Sequence, residues 1–187
     1  MEEWNLRPPF PAEIVKLLQD SCLCYLGVTM EDNTAHLCLM NFTYMPGEEI
    51  IIMSTRRDTT KFHAILRMTR CTLLMHDFPT GVEARASDTT AASHYGKTHS
   101  ITMYGIVKVL EGETAEKMRA AHLARHGPKY EQFIVGDDVA ILAVYVESAK
   151  ICNVKDEVRH WSVSDPSLSP SLTAYRPAPA KSPELRI

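Results

Sequence analysis

The sequence predicts a mainly β fold, barrel-like with helices at the barrel ends, on three observations. Its apolar segments are short and rich in strand formers, and they follow one another in hairpin order, unlike the βαβ repeats of a parallel sheet. Two of them, Ile50–Met53 and Val139–Val146, are apolar throughout, as strands with no wet face must be. The 187 residues, 45% of them hydrophobic, suffice for one well-buried core.

The elements follow in order. Pro8, Pro9 and Pro11 precede a segment in which Ile14, Leu17 and Leu18 share one helical face, which predicts a short entry helix. Cys22–Thr29 and Ala35–Tyr44 are apolar runs about the polar turn Glu31-Asp32-Asn33, a β-hairpin. Met45–Glu49 supplies a second turn, and Ile50–Thr55 a strand at the centre of a sheet or barrel. Phe62, Ile65 and Leu66 form a helical stripe between Asp58 and Thr69, and Cys71–Met75 returns to strand. Residues 78–97 are polar and small with neither period, which predicts a mobile excursion over a ligand site. Ser100–Leu110 is a strand interrupted by Gly105, the mark of a bulge or a close backbone approach. Glu113–His126 is a helix stopped by Gly127-Pro128, and Lys150–Val154 extends the sheet after the long strand 139–146. The total is about six strands and three helices. One domain is expected over residues 1–161. A Pro/Ser-rich tail follows over 162–187, extended or irregular and laid on a partner subunit.

Composition excludes several classes. A formal charge of −3, from 20 Lys+Arg against 23 Asp+Glu, gives no global reason to expect nucleic acid or an anionic membrane, so anion binding must be local. The five cysteines are odd in number, lack a C-x-x-C pair and read as buried thiols of a reducing compartment. Cys22-x-Cys24 places two sulfurs on one strand face, where packing is preferred over metal binding. Neither a signal peptide nor a run of ~18 apolar residues is present, so a soluble, cytoplasmic protein is expected. His122-x-x-x-His126 has zinc-like spacing, but the metalloprotease glutamate is missing. A surface or helix-end role is the reading, with His126 at the negative helix end and no metal expected. His94, His99 and His160 are proton-donor candidates that the sequence does not rank. No G-x-S-x-G, Walker or G-x-G-x-x-G motif occurs, which argues against a serine hydrolase, an NTPase or a Rossmann dehydrogenase.

The chemistry concentrates in Ser54-Thr55-Arg56-Arg57-Asp58-Thr59-Thr60-Lys61. A buried strand here delivers hydroxyls, two guanidiniums and an ammonium to the start of a helix, with Asp58 as the expected N-cap. Free amides and the positive end of the helix dipole favour a phosphate there, and Arg and Lys add charge-assisted hydrogen bonds. The same residues also read as a solvated basic loop.

The hairpin Cys22–Phe42, the strand ending Met53-Ser54-Thr55, the pair Thr60-Lys61 opening a helix and the strand Cys71–Met75 together resemble the N-terminal half of the pyridoxamine 5′-phosphate oxidase-like superfamily. Gly105–Val109, Met118–His126, Asp138–Val146 and Asn153–Trp161 are similar to its second half, so the likeness covers roughly residues 12–161. The resemblance implies an FMN-binding split β-barrel and an oxidoreductase of unassigned substrate. In it, Ser54, Thr55, Thr60 and Lys61 hold the flavin phosphate and ribityl chain, Arg56 or Arg57 assists, and His36–Phe42, including Met40 and Asn41, lies along the isoalloxazine. It further implies a homodimer with the cofactor at the interface. Ser100 and Arg159-His160-Trp161 would then reach a flavin held mainly by the other subunit, while Trp161 reads equally as core packing. On the same fold, a non-catalytic carrier of FMN, pyridoxal phosphate or haem is the alternative. The chain departs from the oxidase itself: basic residues are missing at the ends of His36–Asn41, and a Ser/Pro-rich tail replaces the substrate-gripping C-terminal motif. Both departures speak against pyridoxamine 5′-phosphate as the substrate.

Overall fold

The structure is a computed structural model and describes residues 9–77, 99–153 and 155–164. The excursion expected over 78–97, with His94, lies outside the described residues, as does the tail beyond 164.

Helix α1 (Ala12–Asp20) has Pro11 at its N-cap and buries Ile14, Leu17 and Leu18. Strands β1 (Leu23–Thr29) and β2 (Ala35–Asn41) form the expected hairpin, in register from Leu23↔Asn41 to Thr29↔Ala35. The single run expected to reach Tyr44 is broken at Phe42, and Thr43–Met45 is a separate strand, β3. The break has a physical cause: β2 pairs with β1, whereas β3 pairs with β4 (Ile50–Arg56), so the chain changes partners at Phe42. Its side chain is fully buried there, and its amide returns to the Cys22 carbonyl at 3.0 Å.

Then come α2 (Thr60–Arg67), β5 (Arg70–His76), β6 (His99–Leu110), α3 (Gly112–His126), a 3-10 turn at Pro128–Tyr130, the single-turn α4 (Glu131–Ile134), β7 (Val139–Asn153) and β8 (Val158–Ser162). All pairings are antiparallel, in the order β2-β1-β5-β6-β7-β4-β3, with β8 added to the second half of β7. The sheet curls into a split barrel. Lys150–Val154 is therefore no separate strand: its first residues are the end of β7. β8 raises the strand count because its outward Val158, Arg159 and His160 give no alternation, and only its ladder to β7 makes it a strand.

Gly105 sits at a register shift between β6 and β7, and a Cβ placed on it would lie 2.3 Å from the Tyr145 carbonyl oxygen. Both sequence readings of this glycine hold, since the bulge brings the two backbones into contact. Gly127 closes α3 at φ +82°, a conformation that disfavours any side chain.

One interior runs through the barrel, with Leu26, Phe42, Ile51, Met53, Leu73, Met103 and Leu142 among its members. A second cluster lies on the opposite face of β4 and β7, where Ile50, Ile52, Ile141 and Ala143 pack against Met118 of α3. These strands are buried on both faces, as their unbroken apolar runs require. Among the described residues no helix is long and apolar enough to cross a membrane.

Candidate functional site

Strand β4 ends with Ser54, Thr55 and Arg56 paired to Ile141, Ala140 and Val139 of β7, and the chain then turns through Arg57-Asp58-Thr59 into α2. Thr59, and not Asp58, is the N-cap. It has extended backbone angles (φ −86°, ψ 148°), and its Oγ1 accepts from the Phe62 amide at 3.4 Å. That hydroxyl also donates to the Arg56 carbonyl at 2.8 Å and lies 3.2 Å from the buried Thr55 Oγ1. Asp58 is drawn off the helix end by the Arg56 guanidinium, which donates to both its oxygens at 2.8 and 3.2 Å. This pairing holds the Asp58 carboxyl below its usual range.

Arg56 has a second carboxylate, Asp138, at 3.6 Å. Arg57 lies 5.7 Å from the Phe62 ring centroid, and neither it nor Lys61 has an ion pair among the described residues. Arg56 is thus engaged by two carboxylates, while Arg57 and Lys61 face none among the described residues. The amides of Thr60 and Lys61 meet no acceptor among the described residues, as in the first turn of any helix. The turn is fixed from behind, because the Arg57 amide donates to the Asp138 carbonyl at 2.7 Å.

Of the β2 candidates, His36 and Met40 share the inward face with Cys38, while Leu37 and Leu39 point outward. Burial pushes the Cys38 thiol up, and the Lys61 ammonium opposes that shift. Sequence reasoning did not single out Cys38, which lies within the span His36–Phe42, and it missed Asp138. Alternation along β2 could have flagged the first, but nothing local links Asp138 to Arg56. Asn41 is half-buried at the end of β2. Phe42 has both backbone groups engaged, its carbonyl oxygen lying 3.0 Å from His126 Nε2.

Ser100 and Trp161 do not join this group within one chain. Ser100 pairs with Cys152, near one end of β7, whereas Arg56 pairs with Val139 at the other, about 40 Å away along a strand of this length. Trp161 is buried against Phe10, with ring centroids 4.6 Å apart, and its indole N–H donates to the Pro9 carbonyl at 3.1 Å. Arg159 pairs with Glu13, and His160 is exposed.

The two α3 histidines correct the surface reading. His122 is fully buried, its Nδ1 2.8 Å from Thr43 Oγ1, because its position on α3 faces β3 and the second cluster. Burial first, and His126 second, push its pKa down to about 3. His126 is half-buried at the helix end, its ring centroid 4.6 Å from that of His122. The described residues contain no group of three or more His, Cys, Asp or Glu able to hold a metal ion. The cysteines are less uniformly buried than expected: Cys24 and Cys71 are interior, and burial raises both thiols to about 12, while Cys22 is exposed.

An antiparallel, curled sheet with helices at its ends and a basic strand-to-helix junction defines a split-barrel protein. No family model matches the chain. A Schizosaccharomyces pombe protein named as a pyridoxamine 5′-phosphate oxidase homolog is 29% identical over 175 residues, covering 82% of this chain and 90% of that protein. A Saccharomyces cerevisiae homolog of the same oxidase is 30% identical over 78 residues, or 36% of this chain and 39% of its own length. Among solved structures, a haem binding protein of Mycobacterium smegmatis superposes with a TM-score of 0.65 at 13% identity, covering 83% of this chain, which spans 60% of that one. A haem storage protein of Vibrio cholerae gives 0.57 at 10% identity over 75% and 92% of the two chains. A Clostridium acetobutylicum protein of the pyridoxinephosphate oxidase family gives 0.56 at 14% identity over 81% and 92%. The chain is thus similar over most of its length to a curated pyridoxamine 5′-phosphate oxidase homolog, and it shares the split-barrel fold of the solved proteins of that kind.

Proposed function

We propose that this chain is an FMN-binding oxidoreductase, with the flavin phosphate anchored at the β4–α2 junction. The observation that carries the reading is the pair of cations, Arg57 and Lys61, left without carboxylate partners among the described residues at the start of a helix whose first amides are free. The donor set fits a phosphomonoester: Ser54 and Thr60 add hydroxyls, Lys61 is half-buried, and the Asp138 carbonyl sets the turn. A bound flavin would supply hydride or electron transfer. The residues of this chain would neutralise the phosphate, orient the ring along the inner face of β2 and restrict water, with no side chain required as acid or base.

The reading includes a homodimer. Leu23, Tyr25, Leu37, Leu39, Leu74 and Tyr104 are all more than a third exposed, and the registers set them side by side on the outer face of β1, β2, β5 and β6. A patch of this kind marks a protein interface, and a second copy is the proposed occupant; it would also bring Ser100 of one chain toward the anchor of the other, whereas Trp161 is taken up by packing within its own chain.

Haem binding is the rival, supported by two neighbours named for haem. Flavin is preferred because the cations and free amides converge on a single helix start, which fits one compact phosphomonoester better than the two separate propionates of haem. The test is the absorption spectrum of the purified chain after incubation with FMN or with haem. A perturbed flavin spectrum and a thermal shift with FMN are expected; a haem spectrum with no FMN response would replace this reading. Stopped-flow mixing of the FMN complex with NAD(P)H then separates an enzyme, whose flavin is reduced, from a carrier.

A further inference from the structure

We propose that Arg119, on α3 and outside the anchor, is a positioning residue for it; the inference rests on the phosphate-anchor reading above. Its side chain is only 14% exposed, so its N–H groups need partners inside the protein. One donates to the carbonyl of Ile134, the last residue of α4, and another to the carbonyl of Val139, the first of β7, at 3.2 Å. Nε donates to the exposed carboxylate of Glu116, one turn back, at 3.2 Å. A single planar fork therefore clasps both ends of the loop 135–138.

The other side of that loop carries the anchor. The Asp138 carbonyl accepts from the Arg57 amide at 2.7 Å, its carboxylate lies 3.6 Å from Arg56 Nε, and Val139 is the ladder partner of Arg56. Within the loop, Gly136 takes φ +140°, and its carbonyl accepts from the Val139 amide at 3.1 Å, so the backbone is tightly folded between the two clasped ends. Arg119 is joined to Arg57 through this loop: guanidinium to the Val139 carbonyl, then Asp138 to the Arg57 amide. A guanidinium suits the task because its donors are fixed in one plane, whereas an ammonium is a compact charge on a flexible stem. Without the clasp, Asp138 is free to shift, and the spacing of Arg57 from Lys61 is no longer set. The barrel interior and the inner face of β2 do not depend on it. The expected signature is therefore lost recognition of phosphate with the flavin ring still recognised.

FMN and riboflavin differ by the phosphate alone, so titration of the full-length chain with each, followed by flavin fluorescence, isolates that signature. The wild-type chain is expected to favour FMN by about ten-fold or more, the worth of a hydrogen bond to a charged group. Arg119→Met, which keeps an apolar stem and removes both carbonyl bonds, is expected to bring the ratio close to one with riboflavin affinity unchanged. Arg119→Lys should fall between, and Glu116→Gln should keep the wild-type ratio. If Arg119→Met does not fold, Arg119→Lys decides alone, and a wild-type ratio in it overturns the inference. A wild-type ratio in both Arg119 variants does the same while leaving the anchor standing. Equal affinity of the wild-type chain for the two flavins instead overturns the anchor reading itself.

Discussion

The two halves of the sheet share one interior and differ on the outside. Behind β4 and β7, the outward residues Ile50, Ile52, Ile141 and Ala143 are sealed by Met118 of α3. On β1, β2, β5 and β6, outward residues of the same character, among them Leu37 at 70% and Leu39 at 58% exposure, are left bare. Apolar residues point outward in both halves, so composition tells which strands need a cover and not who supplies it. One half is closed by its own chain. The other would be closed by the second copy of the proposed homodimer.

Substitutions on the two halves should therefore fail in different ways. The largest effect belongs to the covered half: Ile52→Ala should cost about 2–5 kcal/mol in urea denaturation at fixed protein concentration, from lost transfer energy and a cavity between the two clusters. Gly105→Ala should cost about 1–3 kcal/mol, since the added methyl meets the Tyr145 carbonyl at 2.3 Å; an unchanged midpoint would mean that the bulge is not as described.

The helical cover also carries an acid-sensitive group. His122 is held neutral, with a pKa near 3 against 6.5 in the unfolded chain, so the unfolded state binds a proton in that window and the folded state does not. Its contribution is complete above 6.5 and is lost as pH falls toward 3, with a slope of up to about 1.4 kcal/mol per pH unit. Denaturation midpoints across this range should show the slope, and His122→Gln should flatten it. An acid limb identical in the variant would remove His122 from the account.

On the bare half, the double substitution Leu37→Lys, Leu39→Lys should convert a dimer to a monomer in sedimentation. The direct cost to each chain should stay within about 0.5 kcal/mol, since both positions are exposed before association. A dimer that survives these charges places the interface elsewhere. The smallest effect is expected from Arg56→Gln. Its exposed pairs with Asp58 and Asp138 contribute about 0–1 kcal/mol, and its charge is already balanced, so FMN affinity should change far less than in Arg57→Gln or Lys61→Gln.

The fold was legible where local pattern and tertiary role coincide. Ile14, Leu17 and Leu18 sit on the buried face their spacing predicts, α3 ends at Gly127, and Gly105 marks the bulge. It was less legible where partners are distant. Phe42 lies inside a continuous apolar run, and only the switch from β1 to β4 as ladder partner splits it. β8 has a single buried side chain, Trp161, and exists through its pairing with β7. The anchor segment was legible as a cluster of hydroxyls and cations at a strand-to-helix junction. Its internal electrostatics were not: Asp58 reads as a cap and is a guanidinium partner, and the carbonyl of Asp138 that holds the turn comes from 80 residues further along the chain.

The flavin proposal stands or falls with Arg57 and Lys61 holding a phosphate at the start of α2. Its most direct test is a side-by-side fluorescence titration of FMN and riboflavin with the wild-type chain and with Arg57→Gln, Lys61→Gln. The wild-type chain is expected to prefer FMN by about ten-fold or more and the double variant to bind both flavins equally. Equal binding of the two flavins by the wild-type chain, or a preference for FMN that the double variant retains, would contradict it.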